Sequence, residues 1–234
     1  MFRESLEGIE NVIESEIPQG SIILIAGLPG SLKSGLTYNM MSNYLKDHPE
    51  EFGMYVTLEE TTESHLKNMQ SLGIDIPENL LISDYSDIRE RFEGKASLPN
   101  LNQMINGVIE YFKNEKGDKF TIFALDSLNA LYSLINVDNL RGSMFHFFKS
   151  LREKELTGII IMEIPEITAS RQATFSYGEA FLVDGLIRTG EIETQQDVML
   201  YMQIKKMRAT RHSRKKHLME IGESGISILG PIFT

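Results

Sequence analysis

The chain of 234 residues contains no cysteine. Disulfides and thiolate metal sites are therefore excluded, and a reducing compartment fits. Positive charge is scarce: 23 Lys and Arg stand against 33 Asp and Glu, for a formal net charge of −10. An acidic chain repels nucleic acid on average, which weighs against a DNA-binding class while leaving room for a local basic patch. Long apolar runs are missing too. Stretches such as Ile22 to Ala26 are far too short to span a bilayer. The opening MFRESLEGIENVIE carries acids early and no apolar stretch, so no signal peptide is expected and a cytoplasmic protein is the plain reading. Internal repeats and low-complexity segments are also lacking.

What is present is a globular composition, with 41% hydrophobic residues, enough for a real core. The length suggests one large α/β domain over 1–234. Short apolar runs alternate with longer amphipathic stretches, the pattern of βαβ units around a mostly parallel sheet. Strands are expected at Ser21 to Ala26, Gly53 to Leu58, Phe120 to Leu125 and Gly158 to Met162, with a short one at Leu80 to Ser83. Helices are expected at Ser34 to Lys46, Thr62 to Leu72, Leu98 to Asn114 and Val137 to Lys154. From about Ala180 the segments turn short and β-like, at Phe181 to Arg188, Val198 to Lys206, Leu218 to Ile221 and Ile226 to Leu229. They read as an antiparallel extension of the parallel sheet. The polar stretch Ile164 to Tyr177 lacks periodicity and reads as a mobile loop.

Between the first strand and the first helix lies Gly27-Leu28-Pro29-Gly30-Ser31-Leu32-Lys33-Ser34. This is the context that the phosphate-binding pattern G-x-x-x-x-G-K-[ST] requires. Backbone N–H groups of such a loop, and of the helix it opens, point at phosphates. The candidate nucleoside triphosphate contacts are Gly30, Ser31, Leu32, Lys33, Ser34 and Gly35. Lys33 would reach the β- and γ-phosphates, and the Ser34 hydroxyl would hold Mg²⁺. Leu32 departs from the pattern, which has glycine there. If φ is positive at that position, leucine costs on the order of 1 kcal/mol or more. The bland alternative is a plain strand–turn–helix junction with a chance Lys-Ser.

Asp126 follows an apolar strand, where a metal-orienting acid belongs; it would equally serve as an N-cap. Glu59 and Glu60 follow another strand and are candidates to align and deprotonate water. They leave the strand on opposite faces, so they would not act equally. As ordinary helix N-terminal acids they would favour the dipole. The basic run KKMRATRHSRKKH at 205–217 reads as a solvated hairpin, as a phosphate contact to a neighbouring subunit, or as a nucleic-acid patch.

Taken together, the chain resembles the KaiC-like branch of the RecA/RadA superfamily of P-loop ATPases, in a single-domain, archaeal-type form. Four blocks carry the resemblance in the family's order: IPQGSIILIAGLPGSLKS, YVTLEETTESHLKNMQSLGIDI, FALDSLNAL, and EAFLVDGLIR followed by IKKMRATRHSRKKHLMEIGESGISI. The resemblance implies a RecA-like three-layer α/β/α core and ATP or ADP with Mg²⁺ held between subunits of a hexameric ring. It implies that Glu59 and Glu60 match the paired catalytic glutamates and Asp126 the metal acid. Lys206, Arg208 and His212 match residues that reach a neighbour's nucleotide. Ala209 stands where glycine is common after the finger arginine. Val12 to Glu16 stands where the family has a glycine-rich turn.

The expected function is an ATP-binding, slowly hydrolysing ATPase acting as a regulatory or assembly module with an unknown protein partner. One alternative is a non-hydrolysing nucleotide sensor, motivated by Leu32. Another is a DNA-binding ATPase similar to RadA, against which the net charge stands.

Overall fold

The structure is a computed structural model that describes residues 1–86, 101–134, 140–164, 178–194 and 197–233. The nine strands are β1 Ile22–Gly27, β2 Phe52–Thr57, β3 Leu80–Asp84, β4 Phe120–Asp126, β5 Thr157–Glu163, β6 Gly185–Glu193, β7 Val198–Met207, β8 His217–Gly222 and β9 Gly225–Pro231. They form one sheet in the order β3-β2-β4-β5-β1-β6-β7-β8-β9. The helices are α1 Lys33–Asp47, α2 Thr62–Ser71, α3 Leu101–Lys116, α4 Leu128–Leu134, α5 Leu140–Glu153 and the single turn α6 Glu179–Leu182.

Alternation along the central strands explains the layers. On β1, Ile23 and Ile25 face one apolar cluster, while Ile22, Leu24 and Ala26 face the other. A strand buried on both faces must be apolar throughout, as IILIAG is. Leu36, Met40 and Met41 of α1 and Met69 of α2 cover the first face. Ile105 and Ile109 of α3, Leu128 and Leu131 of α4, and Met144, Phe148 and Leu151 of α5 cover the second. The result is a three-layer α/β/α core. The N-terminal segment adds Phe2, Leu6, Ile9 and Ile13 to the first layer. Gly8 sits at φ +78, so close to Ile228 that any Cβ would strike the carbonyl.

Parallel register aligns the strand ends: Gly27 lies opposite Glu163 on β5, and Thr57 opposite Asp126 on β4. Four carboxyl-terminal ends therefore share one edge, where open α/β sheets bind ligands.

Three differences from the sequence expectations have physical reasons. Phe181 to Arg188 is not one strand: a one-turn helix, too short for a 3.6-residue period to show, precedes β6. β6 runs parallel to β1, with Ile23 opposite Gly185, so the antiparallel extension starts at β7. Helix α4 was not expected. Ser127 caps it, its Oγ accepting from the Ala130 amide at 3.2 Å, so Asp126 is the last strand residue and not the cap. The expected loop at Ile164 to Tyr177 lies outside the described residues apart from Ile164. So do positions 98–100 and 137–139 of the expected helices.

Candidate functional site

β1 ends at Gly27, where a Cβ would collide with Thr189 and Ser31. The chain then turns through Gly30, at φ +80. Ser31 is buried and faces inward. Its hydroxyl meets the Leu28 carbonyl at 2.7 Å and the Thr189 hydroxyl at 2.7 Å, which ties the loop to β6. Leu32 adopts φ +60, ψ +24, the left-handed region. It is the residue before α1, and no side chain caps that helix. The first-turn amides of α1 thus have no side-chain acceptor at the mouth of the loop. Leu32 packs its partly buried side chain on the core beside α1, which offsets part of the backbone strain.

Lys33 is buried. Its Nζ donates to the Leu28 carbonyl at 2.7 Å and lies 3.8 Å from Glu163. Burial lowers its pKa, against the opposing pull of Glu163, Asp126 and Glu59.

The turn after β2 holds the two glutamates outside the next helix. Thr57 Oγ1 accepts from the Glu60 amide at 3.1 Å. Thr61 caps α2 by accepting from the Ser64 amide at 3.2 Å. Ser127 Oγ donates to Glu59 at 3.3 Å, and Asn68 donates to Glu60 at 3.1 Å. The glutamates are therefore braced differently, Glu59 by the end of β4 and Glu60 by α2.

Asp126 closes the site at the end of β4. The Leu58 amide donates to its carbonyl at 2.8 Å, and the Tyr55 hydroxyl donates to its Oδ2 at 2.6 Å. A cleft of about 400 Å³ is lined by Lys33, Ser34, Glu59, Glu60, Asp126 and Glu163 among others. One ammonium faces four carboxylates. A polyphosphate entering this cleft needs a divalent cation to offset the charge. The donors suit Mg²⁺: a hydroxyl and a carboxylate, both hard oxygens, with phosphates and water completing the shell. Among the described residues no group of three or more His, Asp or Glu is placed to hold a metal ion by itself.

The structure does not bring Lys206, Arg208 and His212 to this cleft. Met207 lies opposite Gly185, which lies opposite Ile23 at the start of β1. Four strand residues, roughly 13 Å, separate that point from Gly27. Lys206 Nζ donates to the carbonyls of Ala180 at 3.0 Å and Val183 at 2.6 Å. Exposed Arg208 pairs with Asp184 at 3.1 Å. His212 bridges to Ile13 of the N-terminal segment. Ala209 takes φ +54, the region where glycine is at ease.

Sequence reasoning missed Tyr55, His65 and Glu163. Glu163 ends an apolar strand just as Asp126 does, so the same rule applied to GIIIM would have found it. Tyr55 shares a strand face with Thr57, two residues on, a weaker signal. His65 is buried on α2 and lines the cleft; nothing in its sequence surroundings marks it.

A family model described as "ATPase: KaiC" matches residues 3–231. The circadian clock oscillator protein KaiC of Parasynechococcus marenigrum is 27% identical over 95% of this chain and 43% of its own length. Circadian clock protein KaiC2 of Synechocystis is 25% identical over 96% of this chain and 39% of its own length. The chain thus spans about two fifths of these clock proteins. A UPF0273 protein of Pyrococcus furiosus is 26% identical over 97% of this chain and 92% of its own length. A KaiC-like protein of Pyrococcus horikoshii shares the fold, with a TM-score of 0.79 over 97% of both chains at 23% identity.

Proposed function

The chain belongs to the KaiC family of ATPases, and from that premise we propose that it binds ATP with Mg²⁺ and hydrolyses it slowly. The observation that carries this is the cleft itself. An uncapped helix start, the Lys33 ammonium and the Ser34 hydroxyl face Asp126 and the glutamate pair across a space of about 400 Å³.

In this reading the loop Gly30, Ser31, Leu32, Lys33, Ser34 and Gly35 cradles the phosphates. Ser34 and Asp126 would hold Mg²⁺ together with ATP, and the ion would neutralise charge on the phosphate oxygens. Water is aligned by Glu59 and Glu60. Its oxygen bonds to the γ-phosphorus as the bond to the β-bridging oxygen breaks, and its proton passes to a glutamate carboxylate. Lys206, Arg208 and His212 serve a neighbouring copy, because within one chain they lie at the far end of the strands. That requirement makes an isolated chain slow and favours a hexameric ring. The single sheet running through the described residues supports treating 1–234 as one ATPase domain. A regulatory or assembly role in the cytoplasm completes the proposal.

Leu32 holds the left-handed conformation a glycine would take, so loop geometry lends no support to a sensor that cannot hydrolyse. The test is steady-state phosphate release. Magnesium-dependent turnover is expected in the native protein. Glu59→Gln and Glu60→Gln are each expected to lose about a hundredfold or more while keeping nucleotide binding. Unchanged turnover in both variants contradicts the glutamate roles.

A further inference from the structure

Glu163 ends β5 directly opposite Gly27, where β1 passes into the loop. Its backbone is pinned from two sides. The next amide, that of Ile164, donates to the Gly27 carbonyl at 3.0 Å. Asn129 of α4 takes both polar groups of Glu163 itself. Its Oδ1 accepts from the Glu163 amide at 2.7 Å, and its Nδ2 donates to the Glu163 carbonyl at 3.1 Å. A side-chain amide thus fixes the last residue of the strand. The carboxylate of that residue lines the cleft, 3.8 Å from Lys33 Nζ.

The two partners differ in exposure: the Lys33 side chain is 6% exposed and that of Glu163 43%. An enclosed ammonium needs acceptors and a counter-charge. This chain supplies both from its own residues. The Leu28 carbonyl accepts one proton at 2.7 Å, and Glu163 brings the charge. A phosphate oxygen bonded to the same ammonium at about 2.8 Å would lie no more than about 7 Å from the Glu163 carboxylate, given the 3.8 Å pair. At that range two anions repel, and they compete for one cation.

We propose that Glu163 is a resident counter-ion that holds Lys33 in the nucleotide-free site and lowers the affinity for the phosphate chain by competing with it. The inference rests on the nucleotide-site reading above. The competing account makes Glu163 a further acid that helps to hold the hydrated cation. The two accounts differ in sign: losing the charge tightens nucleotide binding in the first and weakens it in the second.

Binding of a fluorescent ADP analogue, with Mg²⁺ and again with a chelator in its place, separates them. Glu163→Gln keeps the size of the side chain and removes the charge. It is expected to bind the analogue about three- to tenfold more tightly, since solvent screens part of the repulsion at a half-exposed carboxylate. The gain is expected to be larger with the chelator, where the phosphates keep their full charge, and to shrink as salt is added. Glu110→Gln removes one charge from α3, outside the cleft, and is expected to leave the affinity native. A Glu163→Gln protein that melts near the native midpoint with native affinity overturns the inference, as does weaker binding with Mg²⁺ or an equal gain in Glu110→Gln. Each of these leaves the site reading intact. Failure of the native protein to bind the analogue overturns both.

Discussion

Leu32 carries the tension between sequence and site. A left-handed residue costs a non-glycine side chain about 1–2 kcal/mol, and Leu32 sits there at φ +60. Its partly buried side chain packs on the core beside α1, which returns part of that. Leu32→Gly is therefore expected to change stability by no more than about 1 kcal/mol, because strain relief, lost packing and added unfolded-state freedom nearly cancel. Leu32→Val keeps an apolar side chain but puts a β-branched residue in the left-handed region, and is expected to cost about 2 kcal/mol. Urea unfolding of the two variants checks the order; a valine variant as stable as the glycine variant contradicts this account of the loop. The position was legible in the sequence because a motif marks it. Its dihedral was not, since the pattern says where glycine is usual and not what a leucine does instead. Tyr55 and His65 escaped for a related reason: each reads as an ordinary strand or helix residue until tertiary packing sets it beside Asp126.

At the scale of elements, Asp184 fastens the edge opposite the cleft. Its carboxylate accepts from the Ile22 amide at 3.0 Å, from Arg152 at 2.8 Å and from Arg208 at 3.1 Å. It joins the start of β1, helix α5 and the end of β7. Burial alone would raise its pKa, but the Ile22 amide and the two guanidinium groups overcome it, and the carboxyl titrates below its usual 3.8. A depressed folded-state pKa stabilises above the unfolded value and is lost as pH falls through the folded value. Asp184→Asn is thus expected to cost about 2 kcal/mol at neutral pH, with the gap to the native protein closing below about pH 4. A gap that stays constant in denaturant titrations from neutral to acid pH contradicts this role. The core strands and long helices were legible because each spans several periods of its apolar pattern. α4 and α6 were not, being two turns and one turn long. The parallel pairing of β6 was hidden as well, because the apolar pattern of a strand reads alike in either direction.

For the molecule as a whole, the order of strands places the two sets of candidate residues at opposite ends of the sheet. The carboxyl ends of β1, β2, β4 and β5 hold the loop Gly27 to Ser34, Glu59, Glu60, Asp126 and Glu163, while Lys206 and Arg208 lie at the far edge. That separation follows from the antiparallel return of β7 along β6, and it is what the proposed sharing of nucleotide between copies needs. No helix among the described residues is long and apolar enough to cross a membrane. The sequence blocks signalled both ends of the sheet but not their distance, since only strand pairing fixes that. The central claim is that Gly27 to Ser34 binds ATP with Mg²⁺, and calorimetric titration of ATP into the purified protein tests it most directly. Saturable binding that needs Mg²⁺ for full strength and is lost in Lys33→Ala is predicted. No heat of binding in the native protein, or binding that survives Lys33→Ala unchanged, contradicts it.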